Sequence, residues 1–105
     1  MSSIRPIMLA LLLTASPAWG QTEIERGRLL VEANCSRCHA VGPADASPHP
    51  DAPPFRTLSE RYPIDSLAET LTKGIPITHP DMPDFLATAS QIDEITAYIL
   101  SLQPQ

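Results

Sequence analysis

The chain is 105 residues long, 43% apolar and 18% charged, with 12 Pro, 2 Cys and a formal charge of −5. That length holds one domain, and the acidic balance excludes a nucleic-acid binder, which needs a basic face to neutralise phosphates. The charged fraction and a mean hydropathy of −0.04 exclude a disordered acidic tail, while Pro at more than twice its ordinary usage of about 5% demands many turns.

Residues 1–20 read as a secretory signal peptide. Arg5 supplies the positive start, residues 7–13 the apolar core, and Ala18-Trp19-Gly20 the small side chains at −3 and −1. A membrane-spanning helix needs about 20 apolar residues, and this run is confined between Pro6 and Pro17. Cleavage is expected, with Gln21 as the new N-terminus, one domain over residues 21–105 and no membrane insertion. Removing 20 of the 105 residues leaves 85, with 6 basic against 12 acidic side chains, a balance of −6. Four aromatics survive the cut: Phe55, Tyr62, Phe85 and Tyr98. So small a domain is marginal on its own core, and something besides side chains is expected to fill the middle.

Thr22-Glu23-Ile24-Glu25 is a capping-box pattern that predicts a first helix through Asn34. Gly27 inside that helix costs about 1 kcal/mol against Ala and marks a close backbone approach. Residues 43–54 carry Pro43, Pro48, Pro50, Pro53 and Pro54 and predict an extended loop. A second helix is expected after Pro63, with Ile64, Leu67, Ala68 and Leu71 on one face and Lys73-Gly74 as its stop. Residues 75–83 hold three prolines and cannot be helical. Ser90-Gln91-Ile92-Asp93 reads as the cap of a last helix, with Ile92, Ile95, Ile99 and Leu102 in register. No strand is predicted. The fold class is all-α, three main helices with long prolyl loops.

Cys35-Ser36-Arg37-Cys38-His39 is the strong motif. C-x-x-C-H is the attachment sequence of c-type haem: thiols one helical turn apart reach the two vinyl groups of one porphyrin edge, and the adjacent His becomes the proximal iron ligand. Three other readings compete. A thioredoxin-like pair belongs at the head of a helix in a βαβ unit, whereas this one follows a helix. Zinc wants four ligands, and His49 and His79 stand alone in loops. A disulfide explains neither His39 nor the missing core.

Electron-transfer haem needs a second axial ligand, and a thioether holds reduced iron well. Met82 is the single Met after cleavage, and it sits between Pro80 and Pro83 on a polar loop, poor ground for core filler. His79 and, more weakly, His49 compete as ligands; both read as solvated loop imidazoles. Asn34-Cys35-Ser36 also matches a glycosylation sequon, here a chance match.

These residues resemble the class I cytochromes c, over nearly the whole of residues 21–105. Gly27, eight residues before Cys35, is similar to the glycine that lets the family's N-terminal helix cross the C-terminal one, whose aromatic is Tyr98 here. Pro53-Pro54-Phe55 resembles the family's proline whose carbonyl accepts from the proximal His ring; the resemblance implies Pro53 as acceptor, with Pro54 the alternative, and so a fixed His39 tautomer. Met82-Pro83-Asp84-Phe85 resembles the Met-Pro-x-Phe form of small bacterial members. Val31 stands where the family commonly has an aromatic, no Trp remains for a propionate, and Lys73 is the only Lys, so the lysine-ringed docking face of mitochondrial members is absent.

The resemblance implies a cytochrome c-like fold around one covalently bound haem with its iron. It also implies a soluble, periplasmic electron carrier rather than an enzyme. The acidic balance predicts redox protein partners with a basic docking patch and salt-sensitive encounters. The alternatives are a ligand-binding or peroxide-reducing haem protein with a labile sixth ligand, or the electron-accepting subunit of a larger oxidoreductase.

Overall fold

The computed structural model describes residues 3, 19–73, 81–83 and 85–104. Most of the leader expected over residues 1–20 lies outside the described residues, as do Gly74, His79, Pro80 and Asp84. Three helices, α1 (Trp19–Asn34), α2 (Ile64–Lys73) and α3 (Ala89–Leu102), form the frame, with a 3-10 helix at Phe55–Glu60 between α1 and α2. There is no strand among the described residues. The all-α expectation holds.

Two helix starts differ from the sequence reading. Helix α1 begins at Trp19, so Thr22 lies inside it rather than at an N-cap. Residues 19–21 supply the preceding turn in the full chain; removal of residues 1–20 would leave Thr22 beside the new N-terminus, where a capping side chain is needed. At α3 the N-cap is Thr88, not Ser90. Thr88 Oγ1 accepts from the Gln91 N–H at 3.2 Å, and the Thr88 N–H donates to Gln91 Oε1 at 2.9 Å. This reciprocal box satisfies two donors at once, and it outcompetes the Ser90-x-x-Asp93 pattern two residues on. Helix α2 starts and ends where its apolar spacing and Lys73 place it. Asp65 in its first turn and Lys73 in its last both oppose the helix dipole.

Helices α1 and α3 cross at Gly27. A Cβ there would lie 1.9 Å from the Glu94 carbonyl oxygen and 2.9 Å from the Tyr98 Cβ, so only the missing side chain allows the contact. Arg26 Nε bonds Glu94 Oε1 across the crossing at 3.1 Å. Beneath it Val31, Ile95, Tyr98 and Ile99 form the buried core, joined by Val41, Phe55, Leu58 and Ile64. Val31 is fully buried, filling with a small side chain the place of a possible second aromatic.

Long-range hydrogen bonds then hang the loops on this frame. The Tyr98 hydroxyl donates to the Val41 carbonyl at 2.5 Å. Gln103, the C-cap of α3, donates from Nε2 to Phe55 O at 2.6 Å and accepts from the Ser59 N–H at 2.9 Å. That one amide fastens the 3-10 helix to the end of α3. The Tyr62 hydroxyl pairs with Thr70 Oγ1, fixing the entry to α2.

Candidate functional site

The Cys35–His39 motif is a continuation of α1, hydrogen-bonded as a turn. The Cys35 N–H donates to Val31 O at 2.8 Å, the Cys38 N–H to Cys35 O at 3.3 Å, and the His39 N–H to Cys35 O at 3.0 Å. Ser36 Oγ and Asn34 Nδ2 bond back to Glu32 O and Leu30 O. The two cysteines therefore stand one turn apart on a rigid stalk. Both are half-buried, and Cys35 packs against the core.

Burial pushes the Cys35 thiol up to about 11. A dithiol redox pair works through a thiolate of lowered pKa, so this environment opposes the thioredoxin-like reading. Nor is there a group of three or more His, Cys, Asp or Glu placed to hold a metal among the described residues, which leaves the four-ligand demand of zinc unmet there.

His39 leaves the turn half-buried, with Nδ1 2.8 Å from the Pro53 carbonyl oxygen. A carbonyl only accepts, so Nδ1 carries the proton and Nε2 carries the lone pair. The Phe55 ring lies against the imidazole with centroids 4.7 Å apart and planes tilted by 35°. The loop that brings Pro53 back is closed by a ladder of short contacts. The Phe55 N–H donates to Ala40 O at 2.9 Å, and the Ala40 N–H to Ser47 Oγ at 3.0 Å. The Gly42 N–H donates to Asp45 Oδ1 at 2.9 Å, and Arg56 to Asp45 O at 2.5 Å. The prolines shape the loop, and these bonds hold it.

His49 belongs to this ladder, a role its sequence setting did not disclose. Its N–H donates to Cys38 O at 3.1 Å, its carbonyl accepts from the Ala52 N–H at 3.2 Å, and its Nδ1 accepts from the Asp51 N–H at 3.1 Å. It is not the solvated loop imidazole expected. On the other side its Nε2 stands 3.4 Å from Asp81 Oδ2, and Asp81 precedes Met82. The structure thus gathers Cys35, Cys38, His39 and Pro53 directly, and ties residues 81–83, of which Met82 is half-buried, to them through His49 and Asp81. His79 lies outside the described residues.

A flat apolar group fits these surroundings. Tyr62, Leu67, Leu71 and Phe85 pack against the core yet remain half-buried, and no polar or charged residue is buried among the described ones. Half-buried apolar side chains of this kind suit contact with a porphyrin, and the Cys pair and imidazole supply sulfur and nitrogen donors of the kind that haem uses.

The comparisons with known proteins agree on one relationship. A family model described as Cytochrome c matches residues 24–103. A cytochrome c-552 of Bradyrhizobium diazoefficiens is 30% identical over 102 residues, covering 96% of each chain. No solved structure matches the chain.

Proposed function

The chain belongs to the cytochrome c family, and from that premise we propose a periplasmic one-electron carrier whose iron is held between His39 and Met82. Covalent haem c with its iron, and a place in electron transport, come with the family. Haem c supplies a reversible one-electron couple at a potential tuned by its axial ligands and their hydrogen bonds.

The observation that carries the reading is the 2.8 Å contact between His39 Nδ1 and Pro53 O. With Nδ1–H donating to a carbonyl, Nε2 presents its lone pair as a ligand, and the donated proton makes the ring a stronger base. Phe55 restrains the same imidazole from one face. Cys35 and Cys38, one turn apart on a hydrogen-bonded stalk, hold a covalent ring edge in one place. Met82 is the single thioether in residues 21–105, and Pro83 beside it fixes one backbone angle of the loop that presents it.

The leader pattern of residues 1–20 supports export. No helix among the described residues is long and apolar enough to cross a membrane. The partner is a redox protein with a basic docking patch. Arg26, Arg28 and Lys73 are engaged by Glu94, by Glu25 and Glu32, and by Glu69. Among the described residues Glu23, Asp45, Asp51, Glu60, Asp65 and Asp93 form no ion pair, against Arg37, Arg56 and Arg61 among the basic side chains. The free charge presented to a partner is therefore acidic.

Optical spectroscopy of the holoprotein tests the ligation. A methionine-to-ferric-iron charge-transfer band that disappears in Met82→Ala is the expected result; rapid binding of carbon monoxide or azide by the wild type overturns it. Electron-transfer rates with the physiological partner fall as ionic strength rises if the docking is electrostatic. A flat salt profile overturns that part alone.

A further inference from the structure

We propose that His49 and Asp81 form a clasp that holds the Met82 segment against the Cys35–His39 turn, positioning the sulfur without touching it. The proposal rests on Met82 being the sixth ligand.

His49 is fixed from three directions before it meets Asp81. Its backbone N–H is held by Cys38 O, its carbonyl by the Ala52 N–H, and its Nδ1 by the Asp51 N–H. Accepting at Nδ1 requires the ring proton to sit at Nε2, the nitrogen that stands 3.4 Å from Asp81 Oδ2. The imidazole thus presents a donor of fixed direction from a loop that is itself bonded to the second cysteine. Among the described residues this is the one polar contact that residues 81–83 make with the rest of the chain. Asp81 and Pro83 flank Met82 directly, and the proline locks one backbone angle on that side. Fixing the carboxylate therefore limits where the sulfur can go.

The His49 side chain is 30% exposed and that of Asp81 75%. A pair so placed is weak in free energy, which suits a latch that sets how often a loop opens rather than whether the protein folds. Loss of either partner is expected to raise the opening frequency about twofold to fivefold, the range of a weak exposed polar contact.

The test is the rate at which ferric holoprotein binds imidazole at saturating concentration, where loop opening limits the reaction. Asp81→Ala and His49→Gln are each expected to accelerate binding about twofold to fivefold. The double variant goes no faster than the quicker single one, and Asp81→Glu, which keeps the carboxylate, stays near the wild-type rate. Asp81→Ala is the cleaner arm, since it leaves the His49 contacts to Cys38, Asp51 and Ala52 in place. Unchanged rates in Asp81→Ala, or single effects that multiply in the double variant, overturn the clasp. The methionine-to-iron band is read alongside in the wild type and Met82→Ala. A wild type without that band overturns the ligation and the clasp together. A band present and lost in Met82→Ala, with unchanged rates in the clasp variants, overturns the clasp alone.

Discussion

The two described segments that flank the site, residues 40–54 and 81–83, offer different kinds of contact. The loop from Ala40 to Pro54 is fastened by Phe55 to Ala40, Ala40 to Ser47, Gly42 to Asp45, His49 to Cys38, Arg56 to Asp45 and Tyr98 to Val41. Residues 81–83 make one polar contact with the rest of the described chain, from the exposed Asp81 carboxylate to His49. The imidazole is thus surrounded by backbone hydrogen bonds, while the residue beside the thioether is met by a side-chain contact. A carrier needs both axial bonds to persist through the electron's arrival and departure, and the hydrogen bond from His39 Nδ1 to Pro53 O orients the ring and strengthens its bond. Heat or denaturant should release Met82 while His39 stays bound, seen as loss of the methionine-to-iron band before any loss of helical signal.

Variants that break this contrast fall in a graded series. Gly27→Val acts on the frame beneath both loops: a Cβ already 1.9 Å from Glu94 O forces α1 and α3 apart. It should cost about 3 kcal/mol or more, read by denaturant unfolding of the holoprotein, with both axial ligands lost in one transition. Tyr98→Phe loosens the imidazole side alone. Removing the bond to Val41 O should cost about 1 kcal/mol.

That variant also changes the response to alkali. Burial and the charge of Glu32 raise the Tyr98 hydroxyl above its ordinary range, so the folded state retains a proton that the unfolded chain gives up. The stabilisation is complete below the unfolded value and is lost as pH rises through the folded one. Wild-type stability should therefore fall through that alkaline range, and Tyr98→Phe should fall less, measured as unfolding midpoints against pH.

Pro53→Ala is milder. The carbonyl that accepts from His39 survives, and the expected loss is the about 0.4–1 kcal/mol of unfolded-state freedom that a compatible proline removes, with the haem spectrum unchanged. Asp81→Ala is smallest in stability, a few tenths of a kcal/mol, yet it is the change expected to alter the thioether side. A stability effect larger than that of Tyr98→Phe would reverse the contrast.

What could be read from residues depended on the kind of contact. The Cys35–His39 turn, helix α2 and the Ile92, Ile95 and Ile99 stripe repeat within one or two turns, so spacing alone exposes them. Gly27 was legible because a glycine in a helix needs a reason, and the Glu94 carbonyl is that reason. The helix starts were less secure. Thr88-x-x-Gln91 and Ser90-x-x-Asp93 are both cap patterns, and nothing local ranks them. Gln103, which ties the 3-10 helix to α3, carries no signal at all. Neither does His49, which looked like a lone imidazole among prolines.

The covalent chemistry, the all-α frame, the acidic charge and the candidacy of Met82 could all be read from residues, because each lives in side-chain identity or short periodicity. It took the folded chain to show that His39 Nδ1 meets Pro53 O rather than its neighbour's carbonyl, that Tyr98 reaches Val41 O, and that His49 faces Asp81. Two of these three end on a backbone carbonyl, a group that every residue carries. Its use as an acceptor is invisible until folding brings a donor within about 3 Å. The third joins two side chains 32 positions apart, and only the closure of both loops puts them face to face.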